Sequence, residues 1–311
     1  MAVALAATAA AAPVAAQSQS AQERMLERQF RERLQSIVES THGIVGIATI
    51  DMVTGRTVGV NDSLVFPQAS AIKIPLLVEL YRQIDNGSID GNRQLSIRAA
   101  DKTGGSGILQ WFSDGGTSMS PHDLAKLMIV FSDNTATNML IDLVGGFQAV
   151  NGTMGSLGVP GIRLQRKMIQ PLQSARGSEN ISTPADAARL MQRIATCNLP
   201  MSRASCNELR RVLELPKNGP IPASVPAGTP VAWKPGGVEG VSTAWGVVNL
   251  PGREYVVVGM VTYAADNAGS SALEEISAAA YEYYRRLARA SGYGVRVPMS
   301  LVDSIRTIPP R

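Results

Sequence analysis

The chain has 311 residues, 45% of them hydrophobic and 17% charged, which is enough to bury a substantial core and to form two lobes. Its net charge is +4, but lysine and arginine are scattered among acidic residues, and no basic run carries interleaved aromatic residues, which disfavours nucleic-acid binding. His42 and His122 are isolated, and Cys197 and Cys206 lack metal-ligand spacing. Composition therefore predicts neither a metal nor a cofactor.

The first 16 residues are almost entirely Ala, Val, Leu and Pro, and a polar Gln/Ser stretch follows them. This is typical of the apolar and cleavage regions of a secretory signal, although the usual positively charged start is missing. We assign residues 1–20 to a signal-like segment, with a flexible tail as the alternative, and expect a periplasmic or secreted protein. The run is too short and alanine-rich for a membrane span, so stable membrane insertion is not expected.

Helix and strand patterns occupy both ends of the chain, and the middle is helical. The terminal elements are a helix at 22–41, strands at 44–50, 57–60, 230–234, 242–249 and 254–263, and a final helix at about 270–290. In the middle no strand is predicted, and helices begin at Ser120-Pro121 and Thr183-Pro184, where a capping hydroxyl precedes a proline. This order predicts an α/β (α+β) fold, with a discontinuous lobe made of 21–66 and 216–311 and an inserted all-α lobe at 67–215.

Three short motifs occur in one order, namely Ser70-Ala-Ile-Lys73, Ser132-Asp-Asn134 and Lys234-Pro-Gly236. Each is weak alone, but their order and separation predict a serine acyl-transfer site. Lys73, one helical turn from Ser70, is the candidate base for this nucleophile. Its pKa must then fall from the usual ~10.4, through burial or through a second cation such as Lys234.

The neighbouring residues suit the same chemistry. Ser132 is expected between the two lysines, where a hydroxyl that donates and accepts can pass a proton to a leaving nitrogen. Asn134 carries a donor and an acceptor that suit a substrate amide. The apolar run after Pro67 predicts a helix opening just before Ser70, whose N–H can then hold an oxyanion. Pro75 predicts distortion of its first turns.

These motifs resemble class A β-lactamase-like serine hydrolases, a group within the β-lactamase and penicillin-binding protein superfamily, over about residues 25–292. The stretches 104–110, 131–138, 182–184 and 245–248 support the resemblance. It implies a β-lactamase/transpeptidase-like antiparallel sheet with flanking terminal helices. It also implies catalytic roles for Ser70, Lys73 and Ser132, and substrate binding by Asn134, Lys234, Gly236 and Gly237. The N–H of Gly237 is the implied second oxyanion donor.

Two positions depart from this family's pattern. β-Lactamases of the family carry a glutamate, in a loop between the second and third motifs, that orients the deacylating water. Here the loop has no acid before Glu179, which we expect to close the loop base with Arg166. Pro235 replaces the usual hydroxyl residue of the third motif. Its missing N–H predicts that its strand lies at a sheet edge or leaves this position unpaired.

The sequence therefore predicts a monomeric serine β-lactamase-type hydrolase that forms an acyl-enzyme through Ser70 and releases it slowly. Its expected partner is a small β-lactam or acyl-D-alanyl-type molecule. The alternatives are a D-alanyl carboxypeptidase or esterase on the same scaffold, and a penicillin-binding protein that acylates without turnover. The sequence leaves open whether Cys197 and Cys206 form a disulfide.

Overall fold

The computed structural model describes residues 19–265, 267–291 and 293–297. Almost all of the signal-like segment predicted at 1–20 lies outside these residues. The helices are α1 Ala21–Ser40, α2 Lys73–Asp85, α3 Pro121–Val130, α4 Asn134–Leu143, α5 Gly146–Ser156, α6 Pro171–Ala175, α7 Pro184–Thr196, α8 Arg203–Glu214, α9 Pro220–Ala223 and α10 Ala268–Ala288. The main strands are β1 Ile44–Asp51, β2 Thr57–Val60, β3 Val231–Val238, β4 Val241–Val248 and β5 Tyr255–Thr262.

These strands form one antiparallel sheet in the order β2-β1-β5-β4-β3. The predicted α/β class, the antiparallel sheet and the flanking terminal helices are confirmed. β3 lies at an edge, as Pro235 predicted, because a proline has no N–H to offer a second neighbouring strand. The strand runs on to Val238, beyond the predicted end at 234, because its pairing with β4 continues through Pro235 and two glycines.

Side chains alternate between the two faces of the sheet and join two apolar clusters. On one face, Val257 packs with α1 and α10, where the rings of Phe30 and Tyr283 stack with centroids 4.4 Å apart. On the other face, Val258 and Trp245 join an apolar core shared with the helices of the middle segment. The predicted lobe boundaries near 67 and 215 stay a prediction, since this second core is continuous with the sheet.

Three local findings complete the fold. The predicted helix starts at Pro121 and Pro184 are confirmed, each capped by the preceding hydroxyl. The prediction of no strand in the middle segment is wrong, because residues 66–67 pair with 181–182 and 95–96 with 118–119. Two-residue strands are too short to show a period in the sequence. Cys197 and Cys206 form a disulfide, which joins the end of α7 to α8.

No helix within the described residues is both long enough and apolar enough to cross a bilayer.

Candidate active site

Ser70 lies in a 3₁₀ turn, Ala69–Ile72, that leads directly into α2. The N–H of Lys73 bonds the carbonyl of Ser70, the tighter spacing of a 3₁₀ turn. Pro75 explains this, because in a regular helix its ring would clash with the carbonyl of Ala71. The predicted helix therefore opens at the predicted place, and the predicted distortion is confirmed. Ala69 adds strain, with a φ of +43°.

Gln68 anchors this turn, and sequence reasoning missed it. Its side chain is fully buried, and its Oε1 accepts a hydrogen bond of 3.0 Å from Nε1 of Trp245. Its carbonyl accepts from the N–H of Ala71 at 3.0 Å and from Oγ1 of Thr243 at 3.0 Å. The sequence signal was a single amide in an apolar stretch, which does not reveal these distant partners.

Lys73 joins the first two motifs. Its Nζ donates hydrogen bonds to the carbonyl of Ser132 at 2.6 Å, to Oγ of Ser132 at 3.0 Å and to Oδ1 of Asn134 at 3.0 Å. These use the three hydrogens of an ammonium. Burial lowers the pKa of Lys73 to about 7, against the opposing effect of the Asp133 carboxylate. The charged and the neutral forms of the Lys73 amine are therefore both populated near neutral pH.

Asp133 fixes the second motif. One carboxylate oxygen caps α4 at the N–H of Ala136, 2.9 Å away. The other accepts from the N–H groups of Ile108 at 2.7 Å and Leu109 at 2.8 Å, so a loop is tied to the start of α4. Ser132, just before this cap, has a φ of +53°, which is an unusual conformation for a residue other than glycine. The bonds from the Asp133 carboxylate to α4 and to Ile108 and Leu109 help to hold it.

Gly236 explains how the third motif approaches the turn that contains Ser70. A Cβ on Gly236 would lie 2.6 Å from the carbonyl oxygen of Gln68 and 2.8 Å from the nitrogen of Ala71. Only a glycine permits this approach, so β3 runs directly against the turn that holds Ser70. Gly236 is buried and acts in packing, whereas the next residue, Gly237, is exposed beside the turn.

Lys234 is buried and lies on the same face of β3 as Gly236. Its Nζ donates a hydrogen bond to the carbonyl of Pro235 at 2.9 Å. Burial lowers the pKa of Lys234 well below its ordinary value, and the charges of Lys73 and Lys217 lower it further. At Lys73 the cause of the lowered pKa is burial, the first of the two alternatives that the sequence left open, rather than the charge of Lys234. A substrate carboxylate would raise the pKa of Lys234 again by supplying an opposite charge.

Lys217 is a third cation that the sequence analysis did not single out. Its Nζ donates to the carbonyls of Leu213 at 2.6 Å and Leu215 at 2.9 Å, at the end of α8. The ammonium also lies 5.7 Å from the ring centroid of Trp233. Burial lowers its pKa to about 8. Lys217 supplies positive charge near Lys234 from outside the three motifs.

The loop between the second and third motifs is closed at its base. Nη2 of Arg166 lies 2.7 Å from Oε1 of Glu179, the pairing expected from the sequence. The same carboxylate also accepts hydrogen bonds from Oγ of Ser174 at 2.7 Å and from the N–H of Asn180 at 2.7 Å. The Glu179 carboxylate therefore holds the base of the loop together.

Within the loop, Met168 is held alongside α4. Its N–H donates to Oδ1 of Asn138 at 2.8 Å, and its carbonyl accepts from Nδ2 at 3.3 Å. Asn138 is one helical turn from Asn134. Across the described ranges, no cluster of three histidine, cysteine or acidic side chains could hold a metal ion.

A five-stranded antiparallel sheet with a serine turn, two buried lysines and a Ser-Asp-Asn motif defines a class A β-lactamase-like serine hydrolase. The chain belongs to the β-lactamase enzyme family, whose sequence profile matches residues 29–284.

Comparisons with individual proteins agree with this family. The chain is 34% identical to a β-lactamase from Sphaerobacter thermophilus, covering 82% of this chain and 97% of that one, with a TM-score of 0.75. It is 27% identical to a variant of PBP-A solved as an acyl-enzyme complex with penicillin G, covering 84% and 97%, with a TM-score of 0.76.

Beta-lactamase L2 of Stenotrophomonas maltophilia is 28% identical over 160 residues, which is 51% of this chain and 52% of that protein. The match thus spans about half the length of this curated relative.

Proposed function

We propose that the protein is a serine β-lactamase-type hydrolase that opens the β-lactam amide by forming an acyl-enzyme on Ser70. The observation that carries this proposal is the position of the Lys73 ammonium, which bonds both Ser132 and Asn134 at the base of the turn that holds Ser70. A base of lowered pKa that is bonded to a hydroxyl relay, and that follows the candidate nucleophile by one turn, supports this chemistry.

In acylation, neutral Lys73 takes the proton of the Ser70 hydroxyl as Oγ bonds the lactam carbonyl carbon. The carbonyl oxygen becomes an oxyanion held by the N–H groups of Ser70 and Gly237. The C–N bond then breaks, and Ser132 donates its proton to the leaving nitrogen while it accepts one from Lys73. The products are an ester on Ser70 and an amine on the opened ring, with no net change in protons.

Substrate binding is assigned to the charged and amide groups around this turn. Lys234 is the cation for the substrate carboxylate, without the hydroxyl that Pro235 has lost. Asn134 donates one N–H to the carbonyl of Gly104 at 3.0 Å, and its amide has a second N–H for the substrate. The substrate class is a small β-lactam or an acyl-D-alanyl-type molecule.

Slow deacylation follows from the loop. Water must lose a proton as it attacks the ester, and no residue from 163 to 178 is an acid. Glu179 already holds Arg166, Ser174 and Asn180. The same observation favours the alternative, a penicillin-binding protein that acylates with almost no turnover.

The proposed setting is the periplasm or the exterior of the cell, with the enzyme acting as a monomer. The Cys197–Cys206 disulfide supports an oxidising compartment, since reducing compartments seldom retain such bonds. Fractionation of cells that express the full chain tests the location, and recovery in the cytoplasm alone would contradict it.

The test of the function is intact-mass measurement over time after mixing with penicillin G, alongside rapid-mixing absorbance with a chromogenic cephalosporin. We expect an adduct of one drug molecule, and a burst near one equivalent followed by turnover well below the ~10 s⁻¹ typical of enzymes. Ser70→Ala removes one hydroxyl and should show no adduct while its circular dichroism is unchanged. An adduct on Ser70→Ala, or neither an adduct nor turnover with the unaltered protein, would contradict the proposal. Fast linear turnover without a burst would contradict slow deacylation alone.

A further inference from the structure

Thr243 is a fully buried polar residue near the start of β4. Its hydroxyl donates a hydrogen bond to the carbonyl of Gln68 at 3.0 Å. The same carbonyl accepts from the N–H of Ala71 at 3.0 Å, and this second bond closes the turn around Ser70. A carbonyl oxygen has two acceptor sites. Here one of them closes the turn, and the other ties the turn to the sheet.

The Thr243 hydroxyl also lies where β3 approaches this turn. Gly236 is opposite Thr243 in the pairing of β3 with β4, and its carbonyl lies 3.5 Å from the hydroxyl. A Cβ on Gly236 would be 2.5 Å from the hydroxyl oxygen, 2.6 Å from the carbonyl oxygen of Gln68 and 2.8 Å from the nitrogen of Ala71. Three polar atoms therefore converge on one position of β3. The next residue on that strand is Gly237, the proposed second oxyanion donor.

We propose that Thr243 is a positioning residue, which sets the distance between the two N–H groups that hold the oxyanion. This inference rests on the proposed acylation of Ser70 and adds a buried residue that acts through its neighbours. The N–H of Ser70 lies inside the turn that the Gln68 carbonyl closes, and the N–H of Gly237 lies on β3. Thr243 links the two, because its hydroxyl bonds Gln68 while its backbone pairs with β3. Loss of the hydroxyl lets the turn shift relative to β3, which weakens the stabilisation of the developing oxyanion.

The test replaces Thr243 with valine, which has a similar shape without the hydroxyl, and with serine, which keeps the hydroxyl. Rapid mixing with a chromogenic cephalosporin over a range of concentrations gives the dissociation constant of the noncovalent complex and the limiting rate of acylation. In Thr243→Val, we expect the limiting rate to fall by about 10- to 100-fold, less than the ~10²- to 10³-fold cost of removing an oxyanion donor outright. The dissociation constant should stay within about twofold, because the oxyanion forms only in the transition state. Thr243→Ser should recover most of the rate, and Thr243→Ala, a second variant without the hydroxyl, should lose it.

Thr49→Val is the matched control. Thr49 is also fully buried, and its hydroxyl donates to a strand carbonyl, that of Val58, at 3.2 Å. It lies on β1, which β5 separates from β4. Both valine variants lose a buried hydrogen bond and should unfold at lower urea concentration, but only Thr243→Val should acylate more slowly.

Three results would overturn the role of Thr243. They are an unchanged limiting rate in Thr243→Val and Thr243→Ala, a loss confined to the dissociation constant, and an equal loss of rate in Thr49→Val. A rate in Thr243→Ser as low as in Thr243→Val would also count against the hydroxyl. Failure of the unaltered protein to acylate would instead overturn the proposed function.

Discussion

Arg166 and Glu179 form an ion pair of 2.7 Å across the base of the loop between the second and third motifs. The pair gives this loop a closed shape without an acid in its interior, because the carboxylate points to Arg166, Ser174 and Asn180. The closure of the loop therefore does not depend on an acid in its interior. That observation leads to the first prediction.

Met168→Glu should speed deacylation. Met168 is bonded to Asn138, one turn of α4 from Asn134, so a carboxylate here would lie in the loop beside α4. We expect the adduct lifetime to shorten by roughly 10²- to 10⁴-fold, the usual contribution of a general base. Decay of the penicillin G adduct is followed by intact mass. Met168→Gln, similar in size but uncharged, is the control, and equal lifetimes in the two variants would show that no base had been gained.

Acylation should depend on the protonation of Lys73. Burial lowers the pKa of Lys73 to about 7. The fraction of Lys73 that is neutral therefore rises about tenfold per pH unit below pH 7 and levels off above it. The acylation rate at saturating substrate, measured from pH 5 to 9, should follow this curve. Lys73→Ala should slow acylation by roughly 10²- to 10⁴-fold. A flat pH profile or an unchanged rate in Lys73→Ala would remove Lys73 from the mechanism.

The burial of Lys73 also predicts how the free energy of unfolding changes with pH. The pKa of Lys73 is about 7 in the folded protein and near ~10.4 when unfolded, so the unfolded chain binds more protons between these values. The contribution of Lys73 to the free energy of unfolding therefore rises with pH in that window. Urea unfolding at pH 7.5 and 9.5 measures this, with Lys73→Met as the control whose pH dependence should be smaller. A larger dependence in Lys73→Met would contradict the assignment.

Lys234→Ala should slow acylation by some substrates much more than acylation by others. If Lys234 holds the substrate carboxylate, its loss should reduce acylation by penicillins far more than acylation by neutral thioesters. Second-order rate constants for both substrate types give the comparison, and Lys217→Ala shows how far general positive charge contributes. Similar losses for penicillins and thioesters in Lys234→Ala would indicate that this lysine tunes Lys73 instead.

The contributions of Gln68 and Trp245 to the free energy of unfolding should be coupled. Gln68→Met keeps the approximate volume but leaves the buried Nε1–H of Trp245 without its acceptor, which costs about 1–3 kcal/mol. Denaturant unfolding of Gln68→Met, Trp245→Phe and the double variant forms a double-mutant cycle. The double variant should lose less stability than the two single losses combined. Additive losses would mean that this hydrogen bond does not stabilise the turn that contains Ser70.

Several features were readable from local sequence. The capped helix starts at Pro121 and Pro184 and the edge position of Pro235 follow from residue type and spacing. The three motifs and the Arg166–Glu179 pair were recognised through the family resemblance. Each depends on a chemical property that holds in any surroundings, such as the missing N–H of proline or the opposite charges of a carboxylate and a guanidinium. Such properties predict an element or a pairing before the fold is known.

Other features were decided only by the tertiary structure. The pKa of Lys73 depends on its burial, the anchoring of Gln68 depends on Trp245 on a distant strand, and the position of Met168 depends on Asn138. These groups are far apart in sequence, so no periodicity or spacing connects them. Their energies arise from desolvation and from contacts between packed segments, which exist only once the sheet and the helices have come together.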